Sequence, residues 1–471
     1  MKPITPIASH EKKVVLLLLF SIGCFMSYLA YYNQFWEGGA ENFWHYFFSR
    51  YAYEHPEFFL NHWAKPLFVL LSAPFAQFGF YGLNLFNILC GLFSAYIVYL
   101  FCVKLNLRNS WFSVLLVLFT PMYFLMLQSA MTEILFALVM VLASYLLYSE
   151  KYAMGSIMAS CLLYCRSEGM FIVMIFAVFL LLEKRWKYLP LLATAMVIYS
   201  FAGLFSGHNF FWYFTENPYA ADSPYGHGDY MHFIDKYEYT LGLPHVVLLG
   251  IGTCILLFTI VKTKGYLFYK HITTDVKVLL LVLAPAVAFS AFHMYAWAEG
   301  KFGSAGIERV FACVIPLTAI VGMYAVDKIE KIKIELVQGL ALSAIFYLLV
   351  VATFKHRDFP VQAHNAEKTY VEVAADWFKK ERKEGYVMYY GHPGILFYCD
   401  YNPFDSMNRE CQSFPNDCSG KKGEKYYYLW DSAFSKFACG TSLEDVERCP
   451  DLKKIKEYRE NDYTLVFFES K

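Results

Sequence analysis

Glu41 follows the first apolar run, in a stretch reading Glu37-Gly38-Gly39-Ala40-Glu41-Asn42-Phe43-Trp44-His45-Tyr46. That stretch is too polar to span a bilayer and too aromatic to be a plain linker. A carboxylate there can take a proton from an attacking hydroxyl or amine. Other polar groups gather between the apolar runs. Residues 34–66 also hold Arg50, Glu54, His55, His62 and Lys65. Thr132-Glu133 opens a long apolar run, and Arg166 and Glu168 flank Ser167 between two short ones. Residues 207–243 carry Asn217-Pro218-Tyr219 and Tyr225-Gly226-His227-Gly228-Asp229, and Arg309 begins a late run. Cations stabilise a phosphate and a carboxylate accepts a proton. Together they suit group transfer from an anionic, lipid-linked substrate.

Each residue also has a plainer reading. Glu41 can be an ordinary loop acid. Glu133 suits the first turn of a helix, where an acid meets the positive end of the dipole. Arg166 and Glu168 can be an ion pair that closes a hairpin. Arg309 can snorkel to an interface. His227, Asp229 and His232 resemble a metal cluster, but three such residues on a Gly-rich loop are weak evidence for one, and loop-stabilising hydrogen bonds are the favoured reading. Gly226 and Gly228 beside His227 suggest special backbone angles and a shaped loop.

The elements that must position these residues are mostly apolar helices. The chain has 471 residues, 58% hydrophobic and only 17% charged, which no ordinary soluble protein matches. Its formal net charge is zero, so nothing points to a nucleic-acid partner. Spans of bilayer length are expected near 14–33, 82–103, 111–128, 132–149, 153–165, 169–182, 189–206, 244–261, 278–297, 309–326 and 335–353. This gives an α-helical polytopic membrane protein of about eleven crossings. The first run is longer than a signal-peptide core and lacks a clean cleavage site, so it reads as a retained helix.

Charge sets the expected orientation. Lys12/Lys13, Lys104/Arg108, Lys151, Lys184/Arg185/Lys187, Lys262/Lys264/Lys270/Lys277 and Lys328/Lys331/Lys333 all fall on one face. By the positive-inside rule that face is cytoplasmic. The N-terminus is then cytoplasmic, in the cell (inner) membrane, while the loops 34–81 and 207–243 are external. Basic flanks on both sides of 153–182 favour a hairpin there, with Arg166-Ser167-Glu168 at its apex. The expected domains are a transmembrane part, 1–353, and a small external, periplasmic α/β domain, 354–471. In the latter, 366–383 has helical spacing, and 386–390, 426–430 and 464–468 read as strands. An oxidising compartment would permit Cys411–Cys418 and Cys439–Cys449 bridges; zinc is the alternative.

With these residues in order, the chain resembles the GT-C glycosyltransferases, integral membrane enzymes that take sugars from polyprenyl-phosphate carriers. The resemblance rests on Gly38-Gly39-Ala40-Glu41, then His62-Trp63-Ala64-Lys65-Pro66-Leu67, Phe78-Gly79 and Asn84-Leu85-Phe86-Asn87. Thr132-Glu133, Cys165-Arg166-Ser167-Glu168-Gly169, the 217–228 loop and Gly306-Ile307-Glu308-Arg309 follow in the same order. It covers roughly residues 14–320 and is similar to the bacterial protein-mannosyltransferase and aminoarabinose-transferase branch. It implies an inverting transfer from a polyprenyl-phosphate-sugar donor to a lipid, glycan or protein acceptor on the external face. Glu41 would be the general base. His62, Lys65, Glu133, Arg166, Glu168, Tyr225, His227 and Arg309 would bind substrate.

The family often has Asp-Glu where this chain has Ala40-Glu41, and Lys-Pro-Pro where it has Lys65-Pro66-Leu67. The first departure leaves Glu41 as the sole acid, with Glu37 as fallback. It weakens the case for a divalent cation, which stays possible as a cofactor. Alternative functions are a transporter or flippase of lipid-linked sugars, a polysaccharide ligase or polymerase, and a non-catalytic scaffold. A transporter would show internal repeats and mid-membrane polar residues. No convincing repeat is present in the sequence.

Overall fold

The computed structural model describes residues 6–33, 39–265, 272–329, 332, 334–355, 366–414, 424–432, 434–460 and 463–471. Glu37, Lys270, Lys331, Lys333 and Cys418 lie outside them. The chain forms two compact units. One comprises Met1–Glu37 with Phe48–Pro360, and the other Gly38–Phe47 with Val361–Lys471.

The first unit is helical because long apolar runs must satisfy their backbone polar groups internally. Its first helices are α1 (Pro6–Asn33), α2 (Ala40–Arg50), α3 (Pro66–Ala76) and α4 (Gly79–Lys104). Then come α5 (Phe112–Leu118), α6 (Pro121–Met126), α7 (Glu133–Tyr148), α8 (Tyr152–Ser160), α9 (Leu162–Cys165) and α10 (Gly169–Leu182). Seven helices are long and apolar enough to cross a membrane: Glu11–Tyr32, Gly79–Lys104, Trp186–Phe205, Leu243–Lys262, Thr274–Ala298, Glu308–Ile329 and Glu335–Lys355. Shorter apolar helices are Pro66–Ala76, Glu133–Tyr148, Tyr152–Cys165 and Gly169–Leu182. The protein is therefore a multi-pass membrane protein.

Two departures from the expected spans have local causes. The run 111–128 is two short helices, α5 and α6, rather than one. Thr120 precedes Pro121 and is extended, with φ −81° and ψ 129°, as the ring of a following proline demands. The second departure is α3, which lies within the segment expected to be a polar loop. Pro66 starts it at the position where a missing N–H costs nothing. The hairpin at 153–182 forms as expected, with Arg166 extended between α9 and α10.

Burial separates the interior helices from the peripheral ones. In Glu308–Ile329, 83% of the most apolar stretch is buried, against 17% in Trp186–Phe205 and in Glu335–Lys355. The interior helix carries Arg309 at its start.

The second unit holds a five-stranded sheet of order β2-β1-β3-β5-β4. The strands are β1 (Val387–Tyr390), β2 (Asn408–Glu410), β3 (Tyr426–Asp431), β4 (Leu452–Glu460) and β5 (Tyr463–Ser470). β1 is parallel to both β2 and β3, while β5 is antiparallel to β3 and β4. The helix Ala366–Glu381 buries Tyr370, Ala374 and Phe378, at the spacing read from the sequence. Cys411 is bonded to Cys439, which takes one cysteine from each of the two expected bridges, Cys411–Cys418 and Cys439–Cys449. Cys411, Cys439 and Cys449 all belong to one apolar cluster on the sheet. Spacing along the chain favoured near neighbours; packing brings distant residues together instead.

Candidate functional site

The helical unit gathers most of the sequence-singled polar residues into one buried cluster. Arg166 is its centre. Its extended backbone at the apex between α9 and α10 turns the side chain inward. One guanidinium nitrogen lies 2.9 Å from Glu133 Oε1, and the other donates to Glu168 Oε1 at 3.0 Å. Arg309 Nε lies 3.5 Å from the same Glu133 oxygen. The Glu133 side chain is 1% exposed and sits in the first turn of α7. His293 Nε2 lies 3.1 Å from Glu168 Oε1. Thr132 accepts a further hydrogen bond from Arg166, at 3.3 Å.

Lys65 completes the set from the start of α3. Its ammonium donates to Ser167 Oγ at 3.1 Å and lies 4.6 Å from the centre of the Tyr219 ring. It meets a hydroxyl and an aromatic face rather than a carboxylate. Its backbone takes φ +70° and ψ 109°, a conformation that L-residues adopt only when the surroundings impose it. Burial pushes the Lys65 ammonium down to about 7, Glu168 opposes that shift, and Arg166 adds to it. His62 stacks on Tyr213 with ring centres 3.9 Å apart. Burial, aided by Lys65, lowers the His62 imidazole to about 4, so the ring is neutral at neutral pH.

Counting charges, Lys65, Arg166 and Arg309 face Glu133 and Glu168. Among the described residues, three cations and two carboxylates meet there. Two of its atoms, Glu133 Oε2 and Arg166 Nε, are buried with no hydrogen-bond partner among the described residues.

The helical unit and the sheet unit together match known structures along nearly the whole chain. ArnT from Cupriavidus metallidurans, bound to undecaprenyl phosphate, superposes with a TM-score of 0.58 at 11% identity. The match covers 96% of this chain and 97% of that one. ArnT from the same organism in the apo state gives a TM-score of 0.60 at 10% identity, covering 97% and 98%. The protein has the GT-C fold. No family model and no curated protein matches the sequence.

Within this GT-C fold the expected site residues fall into three sets. His62, Lys65, Glu133, Arg166, Glu168 and Arg309 come together in the helical unit. Tyr225 and His227 are exposed on the loop 222–230. Glu41 is half-buried in the first turn of α2, and residues 38–47 belong to the sheet unit. The resemblance to a metal cluster at His227, Asp229 and His232 resolves into loop bonds. Asp229 Oδ1 accepts from the Met231 N–H at 2.7 Å, and His232 Nε2 lies 2.9 Å from the Gly306 carbonyl. Among the described residues no three His, Cys, Asp or Glu side chains converge as a metal site would need.

The loop's shape comes from close packing as much as from backbone angles. A Cβ on Gly228 would lie 2.0 Å from Trp297, and one on Gly306 would lie 2.5 Å from the same indole. Gly306 also has φ +64°. Sequence reading missed His293 and Trp297, which lie inside an apolar run with nothing local to mark them. The one available signal for His293 was an imidazole in a segment otherwise free of charge.

Proposed function

We propose that this protein is a membrane glycosyltransferase that moves a sugar from a polyprenyl-phosphate carrier to a lipid, glycan or protein acceptor on the external face. The observation that carries this reading is the convergence of Lys65, Arg166 and Arg309 in one buried cluster, where the Lys65 ammonium hydrogen-bonds a hydroxyl, Ser167 Oγ. Cations so placed can hold a phosphate. The fold shared with ArnT, which in one structure holds undecaprenyl phosphate, supports the same reading.

The step is a single in-line displacement with inversion. The acceptor oxygen or nitrogen forms a bond to the anomeric carbon as the bond from that carbon to the phosphate oxygen breaks. Glu41 takes the acceptor proton. Lys65, Arg166 and Arg309 hold the departing polyprenyl phosphate. That group leaves as a phosphate that already carries charge, so a second carboxylate acting as acid is not required, unlike in a glycosidase. Glu133 and Glu168 hold the arginines in place rather than touch the sugar. The neutral His62, against Tyr213, and the loop residues Tyr225 and His227 bind the sugar or acceptor. No divalent cation is needed for this scheme.

The test is transfer from a radiolabelled polyprenyl-phosphate sugar in membranes that contain the protein. Glu41→Gln should lower transfer by about 10²–10⁴-fold, the usual worth of a general base. Membrane insertion and undecaprenyl phosphate binding should be unchanged. Wild-type transfer by Glu41→Gln would remove Glu41 from the mechanism. Mass spectrometry of surface glycans with and without the gene would then name the sugar and the acceptor.

A further inference from the structure

The sheet unit has a feature that the transfer scheme leaves unused. β1 lies between β2 and β3, all parallel, so the chain leaves β1 to one side and returns to β3 on the other. In α/β sheets the crevice beyond the carboxyl ends of such strands is where ligands bind. Here the loop after β1 carries Gly391-His392-Pro393, and β3 ends at Asp431. His392, Asp431 and Ser435 are all fully or almost fully buried, so the crevice is closed.

Part of what closes it is the chain's own segment 40–47. The Phe43 ring lies 5.7 Å from His392 and 5.5 Å from Phe397, centre to centre. Tyr46 meets the other side of the pair, 5.5 Å from Phe397 and nearly perpendicular to it. Trp44 lies 6.5 Å from Phe404. A Cβ on Gly394 would come within 3.1 Å of the Phe43 ring, so the glycine is what lets the helix approach. Phe43 and Phe47 are each 2% exposed. Ring pairs at these separations are directional as well as apolar. Glu41 is two residues from Phe43 on this docked turn.

We infer that the C-terminal sheet domain is a clamp for the helix that carries Glu41, with Phe43, Tyr46 and Phe397 as positioning residues for the transfer step. The inference rests on the reading of Glu41 as the base. The ligand of the switch-point crevice is thus the catalytic helix itself. A misplacement of about 1 Å at a reacting group costs on the order of 10²-fold in rate, so the clamp acts on kcat and leaves donor affinity alone.

The experiment uses the full chain in lipid nanodiscs, with two readouts. Hydrogen exchange follows the amides of 42–47, with those of Tyr389, Tyr428 and Phe467 as a check that the sheet stays folded. Transfer kinetics give kcat and the donor KM. Phe397→Ala should expose 42–47 to exchange, lower kcat by about 10²-fold and leave the donor KM within about twofold. Phe397→Leu, which keeps most of the apolar volume, should restore most of both. Should Phe397→Ala unfold the sheet, Phe397→Leu and Tyr46→Ala carry the comparison. Retained protection of 42–47 in the alanine variants would overturn the clamp. Lost protection with unchanged kcat would overturn its role in positioning. If the wild-type protein transfers no sugar from any donor tried, the proposed activity falls, and exchange alone decides whether the clamp stands.

Discussion

Two buried polar sets in the helical unit look alike in composition of the chain and differ in kind. In one, His245 sits between two hydroxyls, with Thr120 Oγ1 2.7 Å from Nδ1 and Thr318 Oγ1 3.0 Å from Nε2. Both ring nitrogens have a hydroxyl in reach: a neutral imidazole donates to one threonine and accepts from the other, so the threonine it donates to is free to donate to its backbone carbonyl. In the other, charged groups of both signs crowd around Arg166. That set leaves Glu133 Oε2 and Arg166 Nε without hydrogen-bond partners among the described residues and includes a lysine in a strained conformation. A satisfied neutral network fixes how helices pack. A charged cluster left incomplete gains its missing interactions only when something binds. Burial alone does not separate structure from function here; the completeness of the hydrogen bonding does.

The largest expected effect comes from breaking the charged cluster at its centre. Arg166→Met should destabilise the helical unit by about 3–5 kcal/mol, because buried Glu133 and Glu168 lose the guanidinium they share and keep only Arg309 and His293. Transfer should fall below detection. Thermal unfolding in detergent, alongside transfer in membranes, checks both. If Arg166→Met keeps wild-type stability and activity, the cluster is no more than packing.

Lys65 sharpens the contrast through pH. Its folded ammonium loses its proton as pH rises through about 7, so the phosphate-holding charge is present below that value and fades above it. Undecaprenyl phosphate affinity should therefore weaken as pH rises through this range. Lys65→Arg keeps its charge throughout, so its affinity should be flat across the same range. Lys65→Met should bind weakly at all pH, by about 10–100-fold if one charge-assisted contact of about 1.5–3 kcal/mol is lost. A wild-type profile identical to that of Lys65→Arg would remove Lys65 from the phosphate site.

The smallest effect belongs to the neutral network. Thr318→Val leaves one nitrogen of His245 without its hydroxyl and should cost about 1–3 kcal/mol, with transfer unchanged per folded molecule. A loss of transfer beyond the loss of folded protein would erase the distinction between the two sets.

Much of the architecture was legible because a run of apolar residues in a bilayer has one way to satisfy its backbone. The helices at 79–104, 243–262, 274–298, 308–329 and 335–355 fall close to the expected spans. Lys65, Glu133, Arg166, Glu168 and Arg309 could be named as neighbours because charge in such a chain needs a reason. His293 could not, since its partner Glu168 is distant in sequence and its own surroundings are plainly apolar. β4 was missed for the opposite reason. Lys453, Lys454, Lys456, Glu457 and Arg459 give the segment little apolar alternation to mark it, and its pairing with β5 makes it a strand. The docking of 40–47 on the sheet unit also depends on contacts between distant residues. Aromatic residues near Glu41 were visible in the sequence; the crevice they fill was not.

Trp297 ties two other segments together. The same indole faces Gly228 in the 222–230 loop and Gly306 ahead of Arg309, and each glycine sits where any larger residue would collide with the ring. Gly228 N–H also bonds the Trp297 carbonyl at 3.2 Å. Neither segment can slide without unpacking a shared pivot. A molecule that draws the loop inward therefore pulls on the turn that carries the arginine. The position of the loop and the placement of Arg309 are geared to one another through a single side chain.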